Sequence, residues 1–323
     1  MIKGFTFERA LSWPFAAPHF NSFPWLYGLA YAGVFSVVVA AIGFAAAGDL
    51  TAWAQAMESI ENETDPDLVF GQLFGGMVSL LPWYGLSMLA YWVVWAMFET
   101  ASQRRYVRGE GFSLGFGADE VRMMVVGLFW MLFSVLIWAV PIGLIFGGVW
   151  AAIDAASKGL TEDEVGQRIV APTFAAMGLL LLLTPLFVFL ATRLAPCFAL
   201  TVRAREIRFF DAWNVSRGRF WPILGAYLIL SVAGSLLAQV VGGIVQLGMM
   251  PAFMAMVQDA EAGGDVTAHM LSPAFLIPVG LYVFVLMFLQ GVLQHVVGGP
   301  AAFAVRHDPR GGIDEENQLE SFT

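Results

Sequence analysis

Charged residues are scarce in this chain. Of its 323 residues, 13% are Asp, Glu, Lys or Arg, whereas a typical soluble domain has about 25%. Hydrophobic residues make up 59% of the chain, and the mean hydropathy is +0.73. A water-soluble fold of this length could not keep so much apolar surface away from water, because every folded protein leaves a large surface exposed. The composition therefore predicts an integral membrane protein.

Cysteine and histidine are equally rare. Cys197 is the only cysteine, which excludes an intramolecular disulfide, a CxxC motif and a thiolate metal site. The four histidines, at His19, His269, His295 and His307, form neither an HxxxH nor an HExxH spacing. We interpret each as a surface or interfacial residue. No metal site, cofactor or catalytic residue is predicted.

Long apolar runs are what the chain has in abundance. A hydrocarbon core of about 30 Å needs about 20 apolar residues of helix, and none of the long runs contains Asp, Glu, Lys or Arg. Backbone groups in lipid must be satisfied within a segment, which favours continuous helices. The predicted fold is an all-α polytopic membrane domain over residues 24–300. Its six spans are Pro24–Ala47, Gly75–Phe98, Met123–Ile153, Ala171–Thr192, Pro222–Met250 and Ser272–Pro300.

Basic residues predict the orientation of these spans. Fourteen of the 16 lie in the N-terminal segment, in the connections after spans 2 and 4, and in the tail; only Lys158 and Arg168 lie in the other three loops. By the positive-inside rule both termini are cytoplasmic, which an even number of spans also requires. Residues 1–23 then form a cytoplasmic interfacial segment and residues 301–323 a flexible cytoplasmic tail.

The odd-numbered spans begin at Pro24, Met123 and Pro222, at equal intervals of 99 residues. This spacing predicts three helical hairpins, each introduced by a short amphipathic interfacial helix. The three outer loops are acidic, and we interpret them as solvated loops. A divalent-cation site at Glu61, Glu63, Asp65 and Asp67 is the alternative, although the glycine and the closing glutamate of an EF-hand are missing.

Arginines and aromatic residues alternate in the connection after span 4. Aromatic side chains beside arginines are typical of helices that lie in the headgroup plane. Such anchoring is one reading; the other is an anionic-lipid headgroup site. Nucleic acid is not an expected partner, because no RNA-binding signature is present. The residues of this predicted interface are Arg203, Arg205, Arg208, Trp213, Arg217, Arg219 and Trp221.

Two GxxxG motifs, Gly71 with Gly75 and Gly143 with Gly147, allow close approach of helices. We expect packing inside the chain, with self-association or binding to another membrane protein as the alternative.

The same connection carries a family resemblance. Residues Pro196, Ala199, Phe210, Ala212, Trp213, Ser216, Arg217, Gly218, Arg219, Phe220, Trp221 and Gly225 resemble the signature of a group of bacterial membrane proteins. That group includes the YciC-like proteins and the membrane domain fused to some glycerophosphodiester phosphodiesterases. The resemblance covers about 30 residues and excludes the phosphodiesterase's catalytic domain. It implies a multi-pass protein of the bacterial inner membrane.

Function is predicted only by class. We expect a non-enzymatic protein that binds membrane lipids, anionic ones included, or another membrane protein. The alternative is a transporter of a lipid or another amphiphile without ion-coupling carboxylates, because acidic residues are missing from the predicted spans. An intramembrane protease would need a pair such as Ser231 or Ser235 with His295, but no G-x-S-x-G surrounds either serine.

Overall fold

A computed structural model describes residues 4–60, 66–261, 268–269, 272–308 and 310. These residues form α-helices and contain no strand, which confirms the predicted all-α fold. Six stretches are long and apolar enough to cross a membrane, as predicted. The helices are α1 (Phe7–Ala16), α2 (Phe23–Ala45), α3 (Ala47–Ile60), α4 (Pro66–Arg108), α5 (Ala118–Ser157), α6 (Glu162–Leu194), α7 (Cys197–Ala204), α8 (Ala212–Val215), α9 (Phe220–Glu261) and α10 (Pro273–Arg306).

Several helices continue well past the apolar runs that predict them. Helix α4 extends to Arg108 rather than ending near Phe98, and α10 extends to Arg306 rather than to Pro300. The predicted flexible tail therefore begins too early, because Ala301–Val305 are helical and buried. Phe303 explains the extension: its ring lies 5.4 Å from that of Phe5 and 5.3 Å from that of Trp13. Residues 311–323 of that tail lie outside the described residues.

The chain divides into two compact units. The first unit comprises Met1–Val39, Val93–Met124 and Arg193–Thr323, and the second comprises Ala40–Trp92 and Val125–Thr192. In the first unit, Phe23, Tyr27, Tyr31 and Phe35 follow one another at four-residue spacing and so share one face of α2. They are buried in a cluster with Val94 and Phe98 of α4.

Helix α10 packs closely in the first unit because it has glycines where α1 and α2 approach it. A Cβ added at Gly291 would lie 2.7 Å from Cβ of Tyr31, and one added at Gly28 of α2 would lie 2.7 Å from Cγ2 of Val292. Gly299 faces Pro14 of α1 in the same way. Side-chain atoms in native structures do not approach this closely, so glycine is required at these contacts.

The predicted GxxxG glycines do not provide such contacts. A Cβ added at Gly71, Gly75, Gly143 or Gly147 would meet no described heavy atom within 4 Å. In the second unit the close approaches fall one residue later, where Gly76 faces Trp53 and Gly148 faces Pro172. No close approach to another helix occurs at the four predicted glycines among the described residues, and their use in helix packing, inside the chain or with another helix, stays a prediction.

The stretch from Ile207 to Phe220 also differs from the expected interfacial helix. Its helical part is only Ala212–Val215, flanked by turns. The helix ends at Val215, and Gly218 has a φ of +75°, which the right-handed helix does not allow. In contrast, the short amphipathic helix predicted near the N-terminus is present as α1, and the Oγ1 of Thr6 accepts a hydrogen bond from the backbone N–H of Arg9 at its first turn.

Candidate functional site: a buried polar cluster and a basic connection

Polar residues at helical spacing line one end of α4. Glu99, Ser102, Gln103 and Tyr106 are three or four residues apart, so they share a face of the helix. All four are at most 6% exposed. They lie against Gln294 and His295 of α10. We call these six residues, together with Arg105, the polar cluster.

Arg105 is the centre of the polar cluster and is fully buried. Its Nε donates to the carbonyl oxygen of Pro18 at 2.7 Å. Its Nη2 donates to the carbonyl oxygens of Pro14, at 3.1 Å, and Ala17, at 3.0 Å. These carbonyls lie at the C-terminal end of α1, where a helix leaves acceptors unsatisfied and its dipole favours a cation. Arg105 therefore fixes the end of α1 to α4.

The same guanidinium determines the state of His295. Nη1 of Arg105 lies 2.5 Å from Nε2 of His295. Arginine has only donors, so this nitrogen must be the acceptor and the proton must be on Nδ1. Nδ1 then donates to Oγ of Ser102, 2.6 Å away. The imidazole is neutral in this arrangement, and it stacks on the Tyr106 ring with centroids 4.8 Å apart.

The interpretation of His295 as a surface or interfacial residue is wrong, because the side chain is fully buried. His307 is also buried, at 7% exposure. The serine that bonds to His295 is Ser102, neither Ser231 nor Ser235. Ser102 accepts this hydrogen bond and is itself buried.

Glu99 is the buried carboxyl of the polar cluster. Its Oε1 accepts a hydrogen bond from Nε2 of Gln103 at 2.7 Å, and its Oε2 accepts one from Nε2 of Gln294 at 3.3 Å. It lies inside the apolar stretch Phe74–Arg108. Glu99 follows Phe98, the last residue of predicted span 2, directly on the same helix.

Near the polar cluster, three arginines converge on the first turn of α5. Asp119 is within 2.7 Å of Arg108, 2.9 Å of Arg122 and 3.3 Å of Arg104. Arg104 also lies 2.8 Å from Glu120, and Arg108 donates to the carbonyl oxygen of Val202. Acidic residues at a helix N-terminus are favoured by the helix dipole. Three of the 14 basic residues that predicted topology are thus paired with acidic residues within the protein.

The seven residues of the predicted lipid interface fall into different environments. Arg208 pairs with Asp211 at 3.0 Å, as its three-residue spacing predicts, and with Glu206. Arg219 contacts the carbonyl oxygen of Ala304 at 3.3 Å and lies over the Phe5 ring. Trp213 lies under the guanidinium of Arg193, and Arg203 is half-buried. Arg205, Arg217 and Trp221 are exposed.

Ion pairing in this connection responds to pH. The hydrogen bond from Arg208 lowers the pKa of Asp211 below its ordinary value, and Arg310 adds to the effect. A lowered carboxyl pKa stabilises the fold above the ordinary value, about 3.9, and this stabilisation is lost as the pH falls through the lowered value. The connection therefore keeps its ion pairs at neutral pH.

Apolar and charged side chains alternate at the exposed turn between α7 and α8. Phe210 is 77% exposed and Trp221, at the start of α9, is 76% exposed. Ile207 is also exposed. Arg205 lies near Ile207 in the sequence, and Arg217 lies near Trp221. In the part of the chain that the structure describes, neither guanidinium has a hydrogen bond, ion pair or ring contact. The boundary between lipid and water favours side chains of both kinds together.

The six apolar helices define a multi-pass integral membrane protein. No protein-family model, curated protein or solved structure matches the chain. Among the described residues, no group of His, Cys, Asp and Glu side chains is arranged to hold a metal ion; Glu61, Glu63 and Asp65 of the alternative cation site lie outside them.

Proposed function

We propose that this protein is a non-enzymatic membrane protein that binds anionic lipid headgroups at the connection between α7 and α9. The observation that carries the proposal is that Arg205 and Arg217 are exposed beside exposed Phe210 and Trp221, and that their guanidinium groups have no partner among the described residues. Arginine donates two parallel hydrogen bonds to a phosphate, and aromatic side chains hold the connection at headgroup depth.

The proposal places this connection, together with both termini, on the cytoplasmic side of a bacterial inner membrane. Its support is the asymmetry of the basic residues and the resemblance to the YciC-like proteins. Anionic lipids give that surface a negative potential, which attracts each nearby arginine by about 1 kcal/mol.

The double substitution of Arg205→Gln with Arg217→Gln tests the proposal. We expect the affinity for phosphatidylglycerol to fall by about 2 kcal/mol, roughly 30-fold, because two charge contacts are lost. Native mass spectrometry of the detergent-solubilised protein, titrated with this lipid, measures the change. Arg219 is kept, because its contact with Ala304 makes it structural.

The matched control is Lys158→Gln with Arg168→Gln, which removes the same charge from the opposite loop. It should leave the affinity within about twofold, since these residues have no part in the proposed site. An equal loss in both doubles, or no loss in the first, would contradict the proposal.

Association with another membrane protein, or with a second copy of this chain, is a second candidate. Its support is that Gly71, Gly75, Gly143 and Gly147 meet no described atom within 4 Å, which leaves these small-residue faces to another helix. The same native mass spectra test it, because a stoichiometric partner or a dimer would be retained in mild detergent. Spectra with only the lipid-bound monomer would count against it. Transport of an amphiphile stays a prediction without further support.

A further inference from the structure

Glu99 and Glu120 are both buried acidic residues, but they differ in their partners. Glu120 is 1% exposed and pairs with Arg104 at 2.8 Å. Glu99 is 6% exposed, and among the described residues its hydrogen-bond partners are the amides of Gln103 and Gln294. Burial of a charge without a counter-ion costs several kcal/mol, so a carboxyl in such a place takes up a proton instead.

The ionisable groups around Glu99 offer no compensating cation among the described residues. On its own helix the neighbour is Tyr106; on α7 it is Cys197, and on α9 it is Tyr227. All three are acids that are neutral at neutral pH in their ordinary state. Arg105 follows six residues later, roughly 9 Å along the helix axis, and donates to His295 and to the carbonyls at the end of α1.

The two glutamine amides also favour a proton over a metal cation as the ligand of the Glu99 carboxyl. Their N–H groups face both carboxyl oxygens, and this arrangement repels a metal cation; the protonated carboxyl also needs an acceptor for its O–H. Oε1 of Gln103 is buried and has no hydrogen-bond donor among the described residues. Rotation of this amide by 180° would let the protonated carboxyl donate to that oxygen.

We propose that Glu99 is a reversible proton-binding site between α4 and α10, and that it carries a proton at neutral pH. Helix α10 approaches α4 closely here, since a Cβ at Gly298 would lie 3.0 Å from Nε2 of Gln103 and 3.9 Å from Oε1 of Glu99. Loss of the proton would place a charge in this packed contact and weaken it. The proton therefore controls the contact between the two helices, and the site is independent of lipid binding.

Infrared spectroscopy of the protein in lipid nanodiscs tests the site. At neutral pH the wild-type protein should show the C=O stretching band of a protonated carboxylic acid, which shifts on exchange into D₂O. Glu99→Gln should lose this band, whereas Glu120→Gln should keep it because its carboxyl is ion-paired. A wild-type spectrum without the band, or a band that survives in Glu99→Gln, would overturn the proposal.

A second measurement needs no variant, in case Glu99→Gln does not fold. An apolar carbodiimide reacts with protonated carboxyls that water-soluble reagents do not reach. Peptide mapping of the labelled wild-type protein should find the adduct on Glu99, decreasing as the pH is raised, and none on Glu120. If the infrared band titrates with pH while the adduct is on another residue, the assignment to Glu99 is wrong.

Discussion

Replacement of Arg105 by methionine should unfold or severely destabilise the protein. The substitution removes the guanidinium that donates to three carbonyl oxygens at the end of α1 and to Nε2 of His295. An unsatisfied buried polar group costs about 1–3 kcal/mol, so we expect a loss on the order of 3 kcal/mol or more. Thermal unfolding followed by tryptophan fluorescence measures it.

Lysine should not rescue position 105. An ammonium group has no planar fork, and it cannot reach the carbonyls of Pro14, Ala17 and Pro18 and the imidazole of His295 at once. Arg205→Met is the matched control: it removes an exposed guanidinium and should change the melting temperature little. An Arg105→Lys protein as stable as the wild type would show that charge alone, rather than the fork of hydrogen bonds, holds α1 in place.

The second large effect is expected at Gly291 of α10. In Gly291→Ala the new methyl group would lie 2.7 Å from Cβ of Tyr31, which is closer than side chains pack. Tyr31 is itself buried among Tyr27, Phe35 and Phe98, so it cannot easily move away. Overpacking of this kind costs about 1–3 kcal/mol, and the melting temperature in detergent should fall accordingly.

The same helix provides the control. A Cβ at Gly280 meets no described atom within 4 Å, so Gly280→Ala adds a methyl group without a clash. Alanine is favoured over glycine in a helix by about 1 kcal/mol, and the substitution should therefore be neutral or stabilising. If both variants change stability in the same direction and by the same amount, α10 does not depend on close packing at Gly291.

The apolar runs predicted the helices well, because lipid imposes length and composition on any segment that crosses it. They failed at the helix ends. Arg108 and Arg306 are polar, so a search for apolar residues stops before them, yet the backbone continues in the same hydrogen-bonding pattern to both residues. Contacts with α1 stabilise the last turns of α10, and no local signal in residues 301–306 reveals those contacts.

The polar cluster was harder to predict because its members are far apart in sequence. Ser102 and His295 are 193 residues apart, and only the packing of α4 on α10 brings them together. One signal was available. Glu99, Ser102, Gln103 and Tyr106 come directly after span 2 and have helical spacing, which predicts that they share one face if the helix continues. The lack of histidine motifs predicted no metal site, but it carried no information about the burial of a single imidazole.

The predicted lipid interface is the opposite case. The basic and aromatic character of the connection is visible in the sequence, but the sequence does not tell which arginines are already paired. Arg208 is neutralised by Glu206 and Asp211, and Arg219 contacts a carbonyl of α10. Of the five candidate arginines, Arg205 and Arg217 are therefore the two whose substitution tests lipid binding most directly.

The measurement that tests the account most directly is cysteine accessibility in intact cells. In a Cys197→Ala background, single cysteines are placed at Thr51, Gly159 and Ala268, and at Gly111 and Arg205. Six crossings with both termini inside predict that a membrane-impermeant maleimide labels the first three from outside, and the last two only after permeabilisation. Labelling of Gly111 or Arg205 positions in intact cells, or protection of any of the first three before permeabilisation, would contradict this topology.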